Sequence, residues 1–447
     1  MKFKRIMALV AAVTLLLTCS GCSLNFFSVE SLLSPPVQSG KNGEVQKAFN
    51  TLMRDVKVQL KTPVSGDYQT AFVLYDINGD GIDEAFVFYS DTSVEATVRM
   101  ALLECVDDEW IISADLKGAG SGVFDICFND LDGDGTSEIF VSWSLFDSKI
   151  TRIVSVYEPA MTSEGLFTLE SIGNEYCNTK YFVDFNGDLK NDLVVVYIDD
   201  TAEIQKSVLR FFSLSPERQL VKYSEMNIDN SITSVESIQS DIIKAGDASY
   251  SRVFLDCLKN EKMMFTELVY WDTEHSKPVR EFTEPYSASS RNSKILCRDI
   301  DSDGNLEIPV VTTLAGDPKQ ISVTDYDNVY TFTLISWLDA KGDYNDDNVH
   351  TLYNPLDNYL LRFSWNGRIS VRYDSAQDAL LFCRWSEHDK EYGDELFSIA
   401  YRPSKDEIPY GELLYESDDG MYYYEITDNG RDYGITDEDL ISYFIKM

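Results

Sequence analysis

Histidine is nearly absent from this 447-residue chain: only His275, His350 and His388 occur, no two of them close in sequence. That scarcity argues against His-based zinc sites and against Ser-His or Cys-His catalysis. No G-x-S-x-G, H-E-x-x-H or phosphate-binding loop is present, and no C-x-x-C pair joins the core cysteines. Basic residues are also short: Lys+Arg 38 against Asp+Glu 75 leaves a net charge of −37. A surface this acidic repels nucleic-acid phosphates and anionic head groups, so nucleic acid is excluded as a partner. What it attracts is cations. Hydrophobic residues at 44% and aromatics at 13% fit a folded chain rather than a disordered one. At roughly 150 residues per domain the length provides for two or three domains.

The N-terminus reads as an address. Lys2, Lys4 and Arg5 precede an apolar run, Ile6 to Leu17, of 12 residues, too short to span a bilayer. It ends in Cys19-Ser20-Gly21-Cys22, which resembles a bacterial lipobox, with Cys19 where that motif usually has Leu. The resemblance implies a signal peptide over residues 1–21 and lipidation of Cys22. It also implies export and anchoring to the outer face of a cell membrane, of Gram-positive type. A plain signal peptide cut nearby is the alternative. Residues 22–43, rich in Ser, Pro and Gly, read as a flexible spacer. Over 44–65, Val45, Ala48, Phe49, Leu52, Met53 and Val56 recur at helical spacing, predicting one amphipathic helix and a lead-in.

After Thr62-Pro63 the pattern changes to short apolar runs bounded by Asp, Asn and Gly, which are strands. Asp76-Ile77-Asn78-Gly79-Asp80-Gly81-Ile82-Asp83-Glu84 returns 54 residues on as Asp130 to Glu138 and after another 54 as Asp184 to Asp192. A fourth copy, Asp299 to Glu307, follows 115 residues later, about twice the period. The gap predicts one unit without its loop, with Asp256 and Thr266 to Tyr270 as the expected remnant, for five units in all. Oxygens at positions 1, 3, 5 and 9 of each loop can converge on one cation, and Gly at position 6 allows the turn. Hard oxygen donors without His or Cys select Ca²⁺ over transition metals. The candidate ligands are Asp76, Asn78, Asp80 and Glu84; Asp130, Asp132, Asp134 and Glu138; Asp184, Asn186, Asp188 and Asp192; and Asp299, Asp301, Asp303 and Glu307. An EF-hand needs Glu at position 12, where Val87, Val141, Val195 and Val310 stand, and needs helical flanks that are missing here.

A strand, a D-x-[DN]-x-D-G-x-x-[DE] loop and a second buried strand, repeated, resembles the FG-GAP/VCBS repeat of integrin-α-type β-propellers. The resemblance covers residues 66–345. It implies a mainly β fold, a propeller of about five to six blades, each blade four-stranded with the loop joining its inner strands. It implies up to four structural calcium sites. Leu189 replaces the position-6 Gly of the third loop, which makes that site the weakest; Ser302 replaces Gly at position 4 of the fourth. Pro309 falls in a strand, where a ladder donor is lost.

Residues 346–447 read as a small α+β domain. Trp365 to Arg368 forms a turn, strands are expected at Tyr359 to Ser364, Ile369 to Tyr373, Leu380 to Trp385, Leu396 to Tyr401 and Met421 to Ile426, and a Thr436-capped helix over Asp437 to Lys446. This part is similar to the C-terminal module of exported VCBS-repeat lipoproteins. Cys105, Cys127, Cys177, Cys257, Cys297 and Cys383 are expected as buried free thiols. Cys127, Cys257 and Cys297 are expected in equivalent strands before loops. Three functions fit: a non-catalytic surface module binding a glycan or protein, a lyase-like polysaccharide enzyme, and an envelope sensor. The first is the expectation, with no catalytic residue assigned.

Overall fold

Runs of β-branched and aromatic residues broken every 8 to 12 positions by turn residues fold as antiparallel meanders, and the chain does this throughout. The computed structural model describes residues 40–93, 97–199, 205–245, 248–260, 263–292, 294–312, 322–325, 328–331, 333–338, 350–355, 357–362, 368–403, 410–418 and 420–447. The expected signal peptide, Cys22, nearly all of the spacer and the turn at 365–367 lie outside the described residues. No helix among the described residues is long and apolar enough to cross a membrane.

The amphipathic helix α1 is Lys41–Leu52, starting three residues earlier than expected and ending well before residue 65. It buries Val45 and Phe49 against Phe72, Val87, Tyr89 and Leu103. Leu52 is 47% exposed, and the chain beyond it is drawn into a strand instead.

Among the described residues, six sheets of four or five strands follow in chain order, with a separate two-stranded one between strands of the fifth. The first joins β1 (Val58–Leu60), β2 (Phe72–Tyr75), β3 (Glu84–Asp91), β4 (Val98–Val106) and β5 (Glu109–Lys117), with β1 and β2 sharing the edge of β3. The second is β6 (Gly122–Asn129), β7 (Glu138–Ser144), β8 (Arg152–Met161) and β9 (Phe167–Cys177), paired in that order. The third repeats this with β10 (Thr179–Val183), β11 (Asp192–Asp199), β12 (Lys206–Leu214) and β13 (Leu220–Asn227). The fourth is β14 (Ile232–Ala245), β15 (Ala248–Lys259), β16 (Met263–Asp272) and β17 (Lys277–Arg280), followed by the short helix α2 (Pro285–Ser289). The fifth takes β18 (Ile308–Thr312), then, past a small hairpin of β19 (Ser322–Asp325) and β20 (Asn328–Thr331), β21 (Thr333–Leu338), β22 (His350–Asn354) and β23 (Tyr359–Arg362). The sixth holds β24 (Ile369–Asp374), β25 (Ala379–Ser386), β26 (Glu391–Arg402), β27 (Glu412–Glu416) and β28 (Met421–Ile426).

Strands buried on both faces read as continuous apolar runs, and here each sheet packs on the next in sequence. Phe86, Phe88 and Leu102 of the first pack on Ile126, Val141 and Trp143 of the second. Phe140 and Val156 pack on Leu193 and Val195, and Val194 and Phe211 on Val253 and Phe265. Phe254 and Leu268 meet Ile308 and Leu338, and Leu334 and Leu361 meet Phe382 and Phe397. Each interface uses one side of the period-2 alternation of each strand. No core cluster among the described residues contains side chains of both the first and the sixth sheet. The outer face of the first is covered by α1.

Three expectations change. The boundary at 345/346 cuts through the fifth sheet, because β21 pairs with β22 across it. The C-terminal helix α4 is Asp437–Tyr443, capped by Thr436 in a reciprocal box with Asp439, and the last residues Phe444–Lys446 form β29 on β23; a second short helix, α3, is Asp428–Asp432. Phe444 packs at a tilt against Tyr359, Tyr415 and Tyr422, so aromatic packing overrides continued helix. Finally, Asp256 is no loop remnant: it sits inside β15 opposite Thr266 of β16 and is buried against Arg291, whose Nη2 donates to Asp256 Oδ1 at 2.6 Å. The loop's place in this unit is taken by the β14–β15 hairpin, which simply continues to Ala245 and Ala248.

Pro309 finds its explanation here. β18 ladders with β21 on one edge only, and its other side meets a single bridge, Arg298 to Glu307, an edge position where a missing donor is tolerated. The six core cysteines are all unpaired, four of them buried. Cys257 lies in β15, a second strand, and so is not equivalent to Cys127 in β6.

Candidate metal-binding loops

The first loop joins β2 to β3, the second β6 to β7 and the third β10 to β11, and the fourth joins the segment ending at Arg298 to β18. The position-2 side chain of each, Ile77, Leu131, Phe185 or Ile300, is buried and pins the loop to the core. The rest is organised by carboxylates accepting backbone N–H groups, with one network in all four copies. Asp76 Oδ1 accepts from Gly79 and Asp80 at 2.8 and 3.1 Å, and its Oδ2 from Gly81 at 2.8 Å. Asp130, Asp184 and Asp299 accept from the same positions of their own loops. The position-5 Oδ1 accepts from position 7, as Asp80 does from Ile82 at 2.8 Å. The position-9 acid, first residue of its strand or one before it, accepts from position 2: Glu84 from Ile77, Glu138 from Leu131, Asp192 from Phe185 and Glu307 from Ile300, at 2.8 to 3.0 Å.

This network engages both oxygens of the position-1 Asp on the backbone but only one oxygen of the position-5 and position-9 acids. One oxygen or more from Asp130, Asp132 and Asp134 lie within 4.8 Å of one another, and likewise those of Asp299, Asp301 and Glu307. The first and third loops carry the amides of Asn78 and Asn186 at the third position, so they gather fewer charges. Position 9 is buried in every copy. Burial pushes Glu84, Asp192 and Glu307 up to about 7, with the neighbouring loop acids adding to the rise. Burial and Glu158 raise Glu138 as well. Asp76 moves the other way, held low by its backbone hydrogen bonds, Gly81 first. Burial and like charge disfavour the anionic form of such a carboxylate, and a cation among the acids would favour it.

The third loop makes its turn in spite of Leu189, which takes φ 70°, where the other copies have Gly at φ 85° to 91°. Leu189 N still donates to Asp184 Oδ2 at 2.9 Å. Ser302 likewise adopts φ 68°.

The loops lie side by side along one edge of the stack. Ser137 N of the second donates to Ile77 O of the first at 2.9 Å. Asn191 Nδ2 reaches Asn129 Oδ1 at 3.1 Å, Ser251 Oγ donates to Asp184 O at 2.7 Å, and Leu306 N to Asp241 Oδ2 at 2.9 Å.

Two features escaped the sequence reading. Arg218, at the β12–β13 turn, reaches Asp132, Asp134 and Glu138 of the second loop and pairs closely with Glu158 on β8. Asp241 and Arg252 form a buried pair across the β14–β15 hairpin, Nε to Oδ1 at 2.8 Å. The period held part of the signal: Glu158 stands 54 residues after Glu104. His275 is on an exposed turn with Nδ1 2.6 Å from Asp272 Oδ2. A scan against family models and a search of curated proteins find no match, so the loop geometry carries the functional argument.

Proposed function

We propose that this chain is a calcium-stabilised binding or scaffold module of the FG-GAP/VCBS kind, exported and held at the outer face of a cell membrane by lipid on Cys22. The observation that carries the reading is the backbone network common to four loops, each with a buried position-9 carboxylate accepting the position-2 N–H, two of which gather three acids within 4.8 Å, Asp130, Asp132 and Asp134 in the second and Asp299, Asp301 and Glu307 in the fourth. Asp, Asn and Gly favour turns by themselves, but a turn has no need of a buried acid. Asp76, Asn78, Asp80 and Glu84, and their counterparts, would hold Ca²⁺; the ion would neutralise the cluster and lock each hairpin closed. Its role is structural.

Blade-like packing of four-stranded meanders, with the loops aligned on one edge, supports a propeller arrangement of the sheets. On the opposite edge, between the second and third sheets, a cleft of about 470 Å³ is lined by Tyr176, Tyr197, Lys149 and Asp199. Beside it Phe146 is 91% exposed. Aromatic faces with a few polar groups suit an extracellular glycan or protein ligand.

Calorimetry of the full-length protein in detergent tests the metal. A ligand that binds only the folded state stabilises it by about 2.7 kcal/mol at 100-fold saturation of one site. Extracellular calcium modules bind at ~10⁻⁴–10⁻³ M, so millimolar Ca²⁺ raises the melting temperature, and Mg²⁺ does much less. Identical melting in Ca²⁺ and in chelator, with no bound metal, would reduce the loops to ordinary turns.

A further inference from the structure

We propose that Arg218 is a tethered cation that competes with metal for the second loop, keeping it metal-free at calcium concentrations that fill the other three. The inference rests on the reading of these loops as calcium sites.

The atoms decide it. In the second loop Asp132 Oδ1, Asp134 Oδ1 and Glu138 Oε2 accept backbone N–H groups. The oxygens left over are Asp132 Oδ2, Asp134 Oδ2 and Glu138 Oε1, and the Arg218 guanidinium faces these three at 3.2, 2.7 and 3.5 Å. A metal ion entering the loop needs the same three. Glu158, outside the loop motif, clamps the guanidinium from β8.

The backbone points the same way. The β12–β13 turn matches the β8–β9 turn bond for bond: Arg218 N donates to Ser215 O as Gly165 N does to Thr162 O. Gly165 has φ 79° and Arg218 has φ 57°. A position that favours glycine thus carries an arginine, which is the residue able to reach the loop. Among the described residues, no Lys or Arg pairs with the position 1, 3, 5 or 9 acids of the other three loops; Lys41 reaches only Asp83 beside the first.

The pairing is also imperfect. Glu138 is fully buried, yet its Oε1 has no hydrogen-bond partner, and neither has Arg218 Nε. An incompletely satisfied acid keeps its pull on a second cation, so displacement of Arg218 opens a site rather than a void.

Equilibrium dialysis with metal analysis on the full-length protein in detergent reads the outcome. At a Ca²⁺ concentration that saturates the other loops, the native protein holds three ions, and Arg218→Gln and Arg218→Gly each hold four. Both variants melt below the native protein in chelator, where the loop acids have lost their cation, and recover in Ca²⁺. Glu158→Gln, which unclamps the arginine and leaves every loop ligand in place, also gains the fourth ion. Equal, non-zero counts in all four proteins overturn the inference and leave the calcium reading standing. No bound metal in any of them overturns both.

Discussion

Replacing an exposed leucine by glycine ordinarily destabilises a protein, so Leu189→Gly isolates the backbone of the third loop. Leu189 is 91% exposed, and its replacement removes no buried contact. Its φ of 70° is the left-handed conformation, which costs a non-glycine residue about 1–2 kcal/mol. Glycine relieves that strain but carries more freedom in the unfolded chain, worth about 0.4–1 kcal/mol. The net expectation is a gain of about 0.5–1 kcal/mol. For a cooperative unit of about 150–250 residues, this raises the melting temperature by about 2 °C. Leu189→Ala is the control, since it removes the side chain and keeps the positive φ. It should melt within about 1 °C of the native protein. Differential scanning calorimetry of the three proteins in chelator, where metal binding cannot contribute, makes the comparison. If the glycine protein melts no higher than the alanine one, the strain assigned to Leu189 is not there.

Three further expectations follow from other parts of the fold. Without metal, Glu84, Asp192 and Glu307 have folded-state values raised to about 7 against about 4 unfolded. The folded state therefore binds more protons in that window, and the metal-free protein gains stability as pH falls from about 8 to about 5; melting temperatures that fall over this range would contradict it. With Ca²⁺ present the trend reverses, because protons compete with the metal. Arg291→Met leaves Asp256, 1% exposed, unpaired in the core and costs about 3–5 kcal/mol, while Asp256→Asn added to it recovers part of the loss in urea melts. Cys22→Ala abolishes incorporation of labelled fatty acid, and label retained by that variant would sink the lipid anchor.

The loops were legible because the proposed metal ligands and the fold use the same residues: Asp76 and its counterparts are turn-formers, and the apolar runs after them are strands whichever neighbour they pack on. The 54-residue period then carried the sheet order. What could not be read were contacts made at long sequence separation. Arg218 meets Asp134 across 84 residues, and nothing local marks an arginine in a turn as a partner of a loop in the preceding sheet. Asp256 and Thr266 looked like a decayed loop because their spacing allowed it, whereas they face each other across a ladder and close on Arg291. At the C-terminus, Asp437 to Lys446 has a sound cap and an acidic first turn, so helix was the local choice. Its last three residues leave the helix to pair with β23, a choice made by distant aromatic side chains.

Unit four shows what the repeat preserves when its loop is lost. Where the first three loops place an acid at the start of the following strand, β15 carries Arg252, four residues past its start at Ala248, and an acid faces it across the hairpin at Asp241. The pair is almost wholly buried, so each charge is satisfied by the other with no ion from solution. Asp241 Oδ2 also accepts Leu306 N, at position 8 of the fourth loop. That is the position whose N–H, in Ser137, donates to the first loop. The link between neighbouring units therefore survives a complete change in the chemistry beside it. In a chain of net charge −37 that clusters acids along one edge, the proposed solution ion, Arg218 from the next sheet and Arg252 within the hairpin are three cations compatible with one backbone plan. The joint between sheets is what is constant, and the cation is the variable part.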